Sequence, residues 1–269
     1  MKIGFIGTGN LASAILRGAV ASEKFEPADI LIFDLNKDKL SELKEELSVC
    51  IADSANEVAA KCETVVIAVK PKDIALLADS IKEDAKVNNP LIISTAAGTE
   101  TSKIVSCFGY DAKVIRIMPN INAAVGESMT AVCGSEAVSY SDKEFALDFC
   151  ACFGKAVLIE EKYFSAFTAI AGSAPAFAYI FADALAMAGV KHGLPAKTAQ
   201  DIAAQMLLGS AKMLLESNKA VSELVRNVCS PGGTTIEGVG ALKENGFENA
   251  VINAVDKTVA KDKAMSQIK

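Results

Sequence analysis

Phe5-Ile6-Gly7-Thr8-Gly9-Asn10-Leu11-Ala12 stands near the start of the chain and fits G-x-G-x-x-G/A, with alanine in the third place. The apolar run Lys2–Ile6 leads into it, and the segment Asn10–Ala21 that follows has a helical period. Gly7 permits a tight turn. Gly9 has no Cβ, so a pyrophosphate can approach the backbone. Ala12 is small enough for a helix to pack on a strand. The helix N-terminus supplies free N–H groups and a positive dipole end. Ile6, Gly7, Thr8, Gly9, Asn10, Leu11 and Ala12 are therefore candidate cofactor-binding residues. A βα turn with no ligand needs the same glycines, so the strand–turn–helix context carries the reading.

Working outward, further strands are expected at Ile30–Phe33, Val65–Val69, Leu91–Ser94, Lys113–Ile117 and Met129–Val132. Lys37–Leu47, Lys72–Ile81, Thr101–Phe108 and Ser141–Phe153 read as helices. Apolar strands alternating with helices predict a parallel sheet covered on both faces, the doubly wound α/β class. Strand signals stop after Lys155-Ala156-Val157-Leu158. Beyond them the pattern is Ala- and Leu-rich and helical, broken at Gly193-Leu194-Pro195 and Ser230-Pro231-Gly232-Gly233. The expected organisation is a dinucleotide-binding domain over 1–160 and an all-helical domain over 161–269.

The ends of the later strands add candidates. Phe33-Asp34-Leu35-Asn36-Lys37 closes the second strand. An acid there holds a ribose 2′-OH and favours NAD, whereas Asn36 and Lys37 suit a 2′-phosphate, so the choice between the two stays open. Ala68-Val69-Lys70-Pro71 and Thr95-Ala96-Ala97-Gly98 lie at carboxyl ends of strands, where open α/β sheets bind ligands. They read as the floor under the adenosine ribose and the nicotinamide, although ordinary βα turns have the same composition. In the helical half, Ser230-Pro231-Gly232-Gly233-Thr234-Thr235 forms a nest of N–H groups and hydroxyls suited to a small carboxylate. The same residues also make an ordinary capped helix start.

Composition narrows the rest. The chain has 269 residues, 51% of them hydrophobic, with no Trp and one histidine, His192. A metal centre of several histidines within one subunit is excluded. Lys+Arg is 27 against Asp+Glu 33, a net charge of −6, which leaves no global footprint for nucleic acid or anionic lipid. Seven cysteines, odd in number and without a CxxC pair, read as thiols in a reducing compartment. The first apolar stretch is too short for a signal peptide, and the protein is expected in the cytoplasm. Tyr163–Ala182 carries no charge over a membrane-spanning length, but Ser165, Thr168, Ser173, Pro175 and its alanines suit close packing in protein, against another subunit. Pro175 predicts a kink or break there. His192 reads as a favourable helix C-terminal residue.

These motifs together resemble the pyrroline-5-carboxylate reductases over essentially the whole chain. Val228-Cys229-Ser230-Pro231-Gly232-Gly233-Thr234-Thr235, with Gly238 beyond, matches that family's signature loop. Gly172-Ser173-Ala174-Pro175-Ala176-Phe177 is similar to its helical GSGPAY-type motif, with Ala174 and Phe177 as departures. The Phe5–Ala12, Ala68–Pro71 and Thr95–Gly98 segments look like its cofactor segments, and Arg116-Ile117-Met118-Pro119-Asn120 also fits. The resemblance implies hydride transfer from NADPH or NADH to the C=N bond of L-1-pyrroline-5-carboxylate, giving L-proline. It implies homodimers and larger assemblies, commonly decamers. By position, it places Asn36 and Lys37 near the cofactor's 2′-position and adds Asn56 to the cofactor set. Ser230–Thr234 would hold the carboxylate, and Thr235 would be the ring nitrogen's partner. A β-hydroxyacid dehydrogenase opens similarly but needs a lysine on the first long helix, where Tyr163–Ala182 has none. A nicotinamide-sensing protein without turnover would not need the Ser230–Thr235 nest.

Overall fold

The computed structural model describes residues 1–266, so the last residues of the second expected domain, 267–269, lie outside the described residues. Eight strands form one sheet: β1 Ile3–Ile6, β2 Ile30–Phe33, β3 Cys50–Ile51, β4 Thr64–Ile67, β5 Leu91–Ser94, β6 Val114–Met118, β7 Ser128–Gly134 and β8 Gly154–Leu158. Their order is β3-β2-β1-β4-β5-β6-β7-β8. The order reverses between β1 and β4, and the Gly7–Ala12 turn leaves β1 at that point. Crevices outside the strand ends form at such reversals.

The sheet is buried on both faces, and the side-chain period of two sorts its residues. Phe5, Val66 and Ile93 face one core with α1 (Asn10–Ala21), α2 (Lys37–Leu47) and α6 (Tyr140–Cys150). Ile6, Val65 and Ile92 face the other with α3 (Ala55–Lys61), α4 (Ile74–Asn88) and α5 (Thr101–Phe108). Three helices on each face require continuous apolar strands, which is what β1, β4 and β5 provide. The sheet departs from the expected parallel arrangement at one place: β7 runs antiparallel to β6, while every other pair is parallel. The connection between them holds only a 3₁₀ turn, Ile121–Val125, with no room for a crossover helix, so the chain must return antiparallel.

By packing, the chain divides into two compact units. One is Met1–Gly172 with the residues from Val259 onward, and the other is Ser173–Thr258. Helical structure runs from Glu161 to Lys191. It comprises α7 (Phe164–Phe167), a π-helical turn Thr168–Ser173, and α8 (Ala174–Lys191). Pro175 lies in the first turn of α8 and does not end the helix. An α-helix would direct the Ala171 carbonyl to the N–H of residue 175, which proline lacks. Asn120 Nδ2 donates to that carbonyl at 2.9 Å instead. The Asn120 N–H donates to Ser128 Oγ, and its side-chain oxygen accepts from the Asn122 N–H, both at 3.1 Å. One buried asparagine therefore stitches the π-helical turn to the β6–β7 connection.

The second unit adds α9 (Ala196–Glu216), α10 (Val221–Val228), α11 (Thr234–Glu244) and most of α12 (Phe247–Ser266). Its buried side chains are Ala186, Ala199 and Ala203, all small. Tyr179, Ile180, Met187, Leu215 and Val228 are each at least 60% exposed. Three alanines do not make a core for a unit of this size, so its apolar faces need cover from outside the chain.

Asn120→Ala leaves the Ala171 carbonyl without its donor. We expect a loss of about 1–3 kcal/mol in the transition of the sheet-bearing unit, read as a lower urea midpoint. An unchanged midpoint would show that the carbonyl finds another partner.

Candidate functional site

Gly7 has φ +96°, and a Cβ there would sit 2.7 Å from the Ala68 carbonyl oxygen, so the turn is open only to glycine. Its N–H donates to the Phe33 carbonyl at 2.8 Å. Thr8 is buried and bonds Asp34 twice: its N–H at 2.6 Å and its hydroxyl at 3.0 Å both donate to Oδ2. Asp34 Oδ1 accepts from the Asn36 N–H at 2.9 Å. Partial burial alone would push the Asp34 carboxyl up. The N–H donors of Asn36, Thr8 and Leu35 and the Thr8 hydroxyl outweigh that and hold it below its ordinary value.

The start of α1 is left free by this arrangement. Gly9 is its N-cap and no side chain caps the helix. Ser13 is the first residue to close a helical bond, to the Gly9 carbonyl at 2.8 Å. Asn10, Leu11 and Ala12 therefore present N–H groups without helical partners. A Cβ built on Gly9 meets nothing within 4 Å, so the approach to those groups is open. Ala12 is 2% exposed.

Beside this helix end lies a cleft of about 510 Å³, lined in part by Gly7, Asp34, Asn56 and Val69. Ile6 lines it too, although its side chain is buried. Two walls were not anticipated from sequence: Leu35 is 90% exposed and Leu76 is 76% exposed, both on the cleft. Leu35 follows β2 and Leu76 lies on α4, and their exposure on a shared cleft is invisible in sequence. Asn36 lies just outside the cleft, where its side chain caps α2 by accepting from the Lys39 N–H at 3.2 Å. Lys37 is the exposed first residue of α2. The Asn56 amide donates to the Ser80 carbonyl and to Asp84 Oδ2, at 2.8 and 2.7 Å. Ala68 and Val69 follow β4 rather than ending it, Lys70 is exposed, and Pro71 opens a 3₁₀ turn. Thr95, Ala96, Ala97 and Gly98 form the loop after β5, with Ala97 exposed and Gly98 at φ +67°.

The second group of candidates lies in the helical unit, between α10 and α11. Gly232 has φ +66°, and the Gly233 N–H donates to the Ser230 carbonyl at 3.0 Å. A Cβ on Gly233 would collide with Ser230 Oγ. Gly233 is the N-cap of α11, which has no side-chain cap. The alternative of a merely capped helix is therefore unsupported: neither serine nor threonine spends its hydroxyl on this end. Ser230, Pro231 and Thr234 are exposed, and Thr235 borders an apolar cleft of about 830 Å³. His192 closes α8, its N–H bonded to the Ala188 and Gly189 carbonyls at 3.2 and 3.1 Å.

Two family models match this chain. Residues 161–265 match the family model described as pyrroline-5-carboxylate reductase dimerisation. Residues 2–98 match one described as NADP oxidoreductase, coenzyme F420-dependent. The pyrroline-5-carboxylate reductase of Escherichia coli is 38% identical over 99% of this chain and 98% of its own. The chain belongs to the pyrroline-5-carboxylate reductase family. The Aquifex aeolicus reductase is 36% identical over 98% of this chain and 97% of its own. A solved reductase from Coxiella burnetii superposes with a TM-score of 0.94 at 30% identity, covering 99% of this chain and 98% of that one. The Plasmodium falciparum reductase, solved with NADP bound, superposes at 0.88 and 31% identity, with 99% and 98% covered.

Because the Asp34 pKa is lowered in the fold, its bonds to Thr8 and Asn36 add stability above the ordinary aspartate value of about 4 and lose it as pH falls through the folded value. Asp34→Asn replaces an acceptor with an amide facing donors. Its melting temperature should fall below wild type at pH 7, and the gap should close toward pH 3 or below. A gap independent of pH would contradict the assignment.

Proposed function

We propose that this chain reduces the C=N bond of L-1-pyrroline-5-carboxylate to L-proline, the last step of proline biosynthesis, with NADPH as hydride donor and NADH as the alternative. What carries this reading is the end-to-end match at 38% identity to a reductase of that name, together with two uncapped helix N-termini where that chemistry needs anion sites.

The residues fit the cofactor. The N–H groups of Asn10, Leu11 and Ala12 and the bare Gly9 suit the pyrophosphate. Leu35 and Leu76 suit the two faces of the adenine, with Asn56 beside them. The oxygens of Asp34 already serve Thr8 and Asn36, which leaves the 2′-position to Asn36 and Lys37 at the start of α2. Ala68–Pro71 and Thr95–Gly98 supply the floor under the ribose and the nicotinamide. When bound, the nicotinamide supplies a hydride.

The substrate carboxylate lies on the Ser230–Thr234 backbone, at the positive end of α11. A cyclic imine is basic enough to be protonated near neutral pH. Its N–H donates to Thr235 Oγ, which orients the ring. The hydride adds to the ring carbon of the C=N bond, the π electrons pass to nitrogen, and the proton already there remains on the product amine. No protein acid is required, and positioning supplies the catalysis. This agrees with the absence of a lysine between Lys162 and Lys191 on the long helix, where a β-hydroxyacid dehydrogenase would carry its acid.

The uncovered faces of the helical unit support a homodimer, with a larger ring such as a decamer built from it. We further propose a functional division into residues 1–160 and 161–269 and a cytoplasmic protein with no nucleic-acid or membrane partner, in keeping with the net charge of −6.

The purified protein should oxidise NADPH or NADH on addition of pyrroline-5-carboxylate. No oxidation of either would overturn the reading. Thr235→Ala should lower kcat by about 10–100-fold with an unchanged melting temperature, the scale of one lost positioning contact. Unchanged kinetics would remove Thr235 from the mechanism.

A further inference from the structure

The loop from Thr95 to Glu100 leaves β5 and enters α5 at Thr101. Its near end is tied to the sheet, where the Thr95 N–H donates to the Ile67 carbonyl at 3.1 Å. Its far end has no tie of its own. Glu100 occupies the N-cap position of α5 and makes no side-chain capping bond. The missing acceptor comes from the segment that opens the long helix. Glu161 Oε1 accepts from the Thr101 N–H at 2.9 Å, and Oε2 accepts from the Thr101 hydroxyl at 2.8 Å. A carboxylate is the favoured partner at that helix end, and here it caps α5 from outside.

Glu161 is itself held in place. Arg116 Nη1 donates to Glu161 Oε1 at 3.0 Å. Arg116 is 4% exposed on β6, and its guanidinium lies 4.4 Å from the centre of the Phe164 ring. Its Nε is buried without an acceptor. Val114, Ile115 and Ile117, its neighbours on β6, are fully apolar and fully buried. A buried arginine with an unsatisfied donor, paired to a carboxylate that is only partly buried, is a poor way to stabilise a sheet compared with an apolar residue of similar size. What the arginine does achieve is to fix one carboxylate against the end of one loop.

We infer that Glu161, held by Arg116, is a positioning residue for hydride transfer: it clamps the far end of the Thr95–Thr101 loop through Thr101 and so sets the floor on which the nicotinamide ring is oriented. The inference rests on reading Thr95–Gly98 as that floor. Arg116, Glu161 and Thr101 touch neither cofactor nor substrate in this scheme. They act through the loop, and reacting centres displaced by about 1 Å lose up to about a hundredfold in rate.

Thr101→Val keeps the shape and the N–H bond and removes one donor to Glu161. Its kcat should fall about 3–10-fold, with the KM for pyrroline-5-carboxylate unchanged. The deuterium isotope effect on kcat, measured with C4-deuterated NADPH, should rise as hydride transfer becomes more rate-limiting. Thr101→Ser, which keeps the hydroxyl, should restore both. Glu161→Gln should give the same signature more strongly, and adding Thr101→Val to it should have little further effect, because both act on one path. A wild-type kcat in Thr101→Val, or a lowered kcat with an unchanged isotope effect, overturns the clamp. Ala97→Leu tests the underlying reading separately by filling the exposed face of the loop. If Ala97→Leu abolishes turnover while Thr101→Val matches wild type, the clamp alone fails. If Ala97→Leu turns over normally, the loop is not the nicotinamide floor.

Discussion

The bonds from Thr8 to Asp34 hold the first turn of the protein in place, and the rest of the cofactor site depends on that turn. One carboxylate at the tip of β2 takes the N–H and hydroxyl of the residue between the two glycines. With Thr8 fixed and Gly7 forced to positive φ, the chain enters α1 with its first N–H groups facing open space. The neighbouring strand ends are set by the same sheet register: β1 pairs with β2 on one side and β4 on the other, so Asp34 and Val69 are brought to one cleft.

In the proposed function the same physical device would serve both anions. Neither α1 nor α11 has a side-chain cap, and each begins on a glycine. Helix N-termini favour negative charge without basic side chains, which is how, in the proposed reading, an acidic chain with one histidine would accommodate a dinucleotide and a carboxylate. The chemistry fits this economy. An iminium brings its own proton, so the protein has to orient two partners rather than supply an acid.

Much of this was legible in the sequence, for identifiable reasons. β1, β2 and β5 were readable because short apolar runs alternate with helical patterns, and the Gly7–Ala12 turn because Gly7 is needed sterically. Several features escaped. β3 is two residues long and α3 seven, too short for a period to show. α4 extends to Asn88, well past the expected end at Ile81, because its last turns are polar on most sides. The direction of β7 depended on the length of a connection rather than on the strand itself. At the site, Leu35 and Leu76 were invisible because their meaning lies in their exposure, and the Glu161–Thr101 bonds because the partners are far apart in sequence. Pro175 was expected to kink or break its helix. The helical structure continues through it, with a π-helical turn just before it and Asn120 bonded to the Ala171 carbonyl.

The central claim is that the open end of α1, rather than any basic side chain, receives the cofactor. A crystal structure of the protein with NADPH tests it most directly. The account predicts pyrophosphate oxygens within hydrogen-bond distance of the N–H groups of Asn10, Leu11 or Ala12, with the adenine between Leu35 and Leu76. A pyrophosphate held by lysine or arginine side chains, away from Gly9, would contradict it.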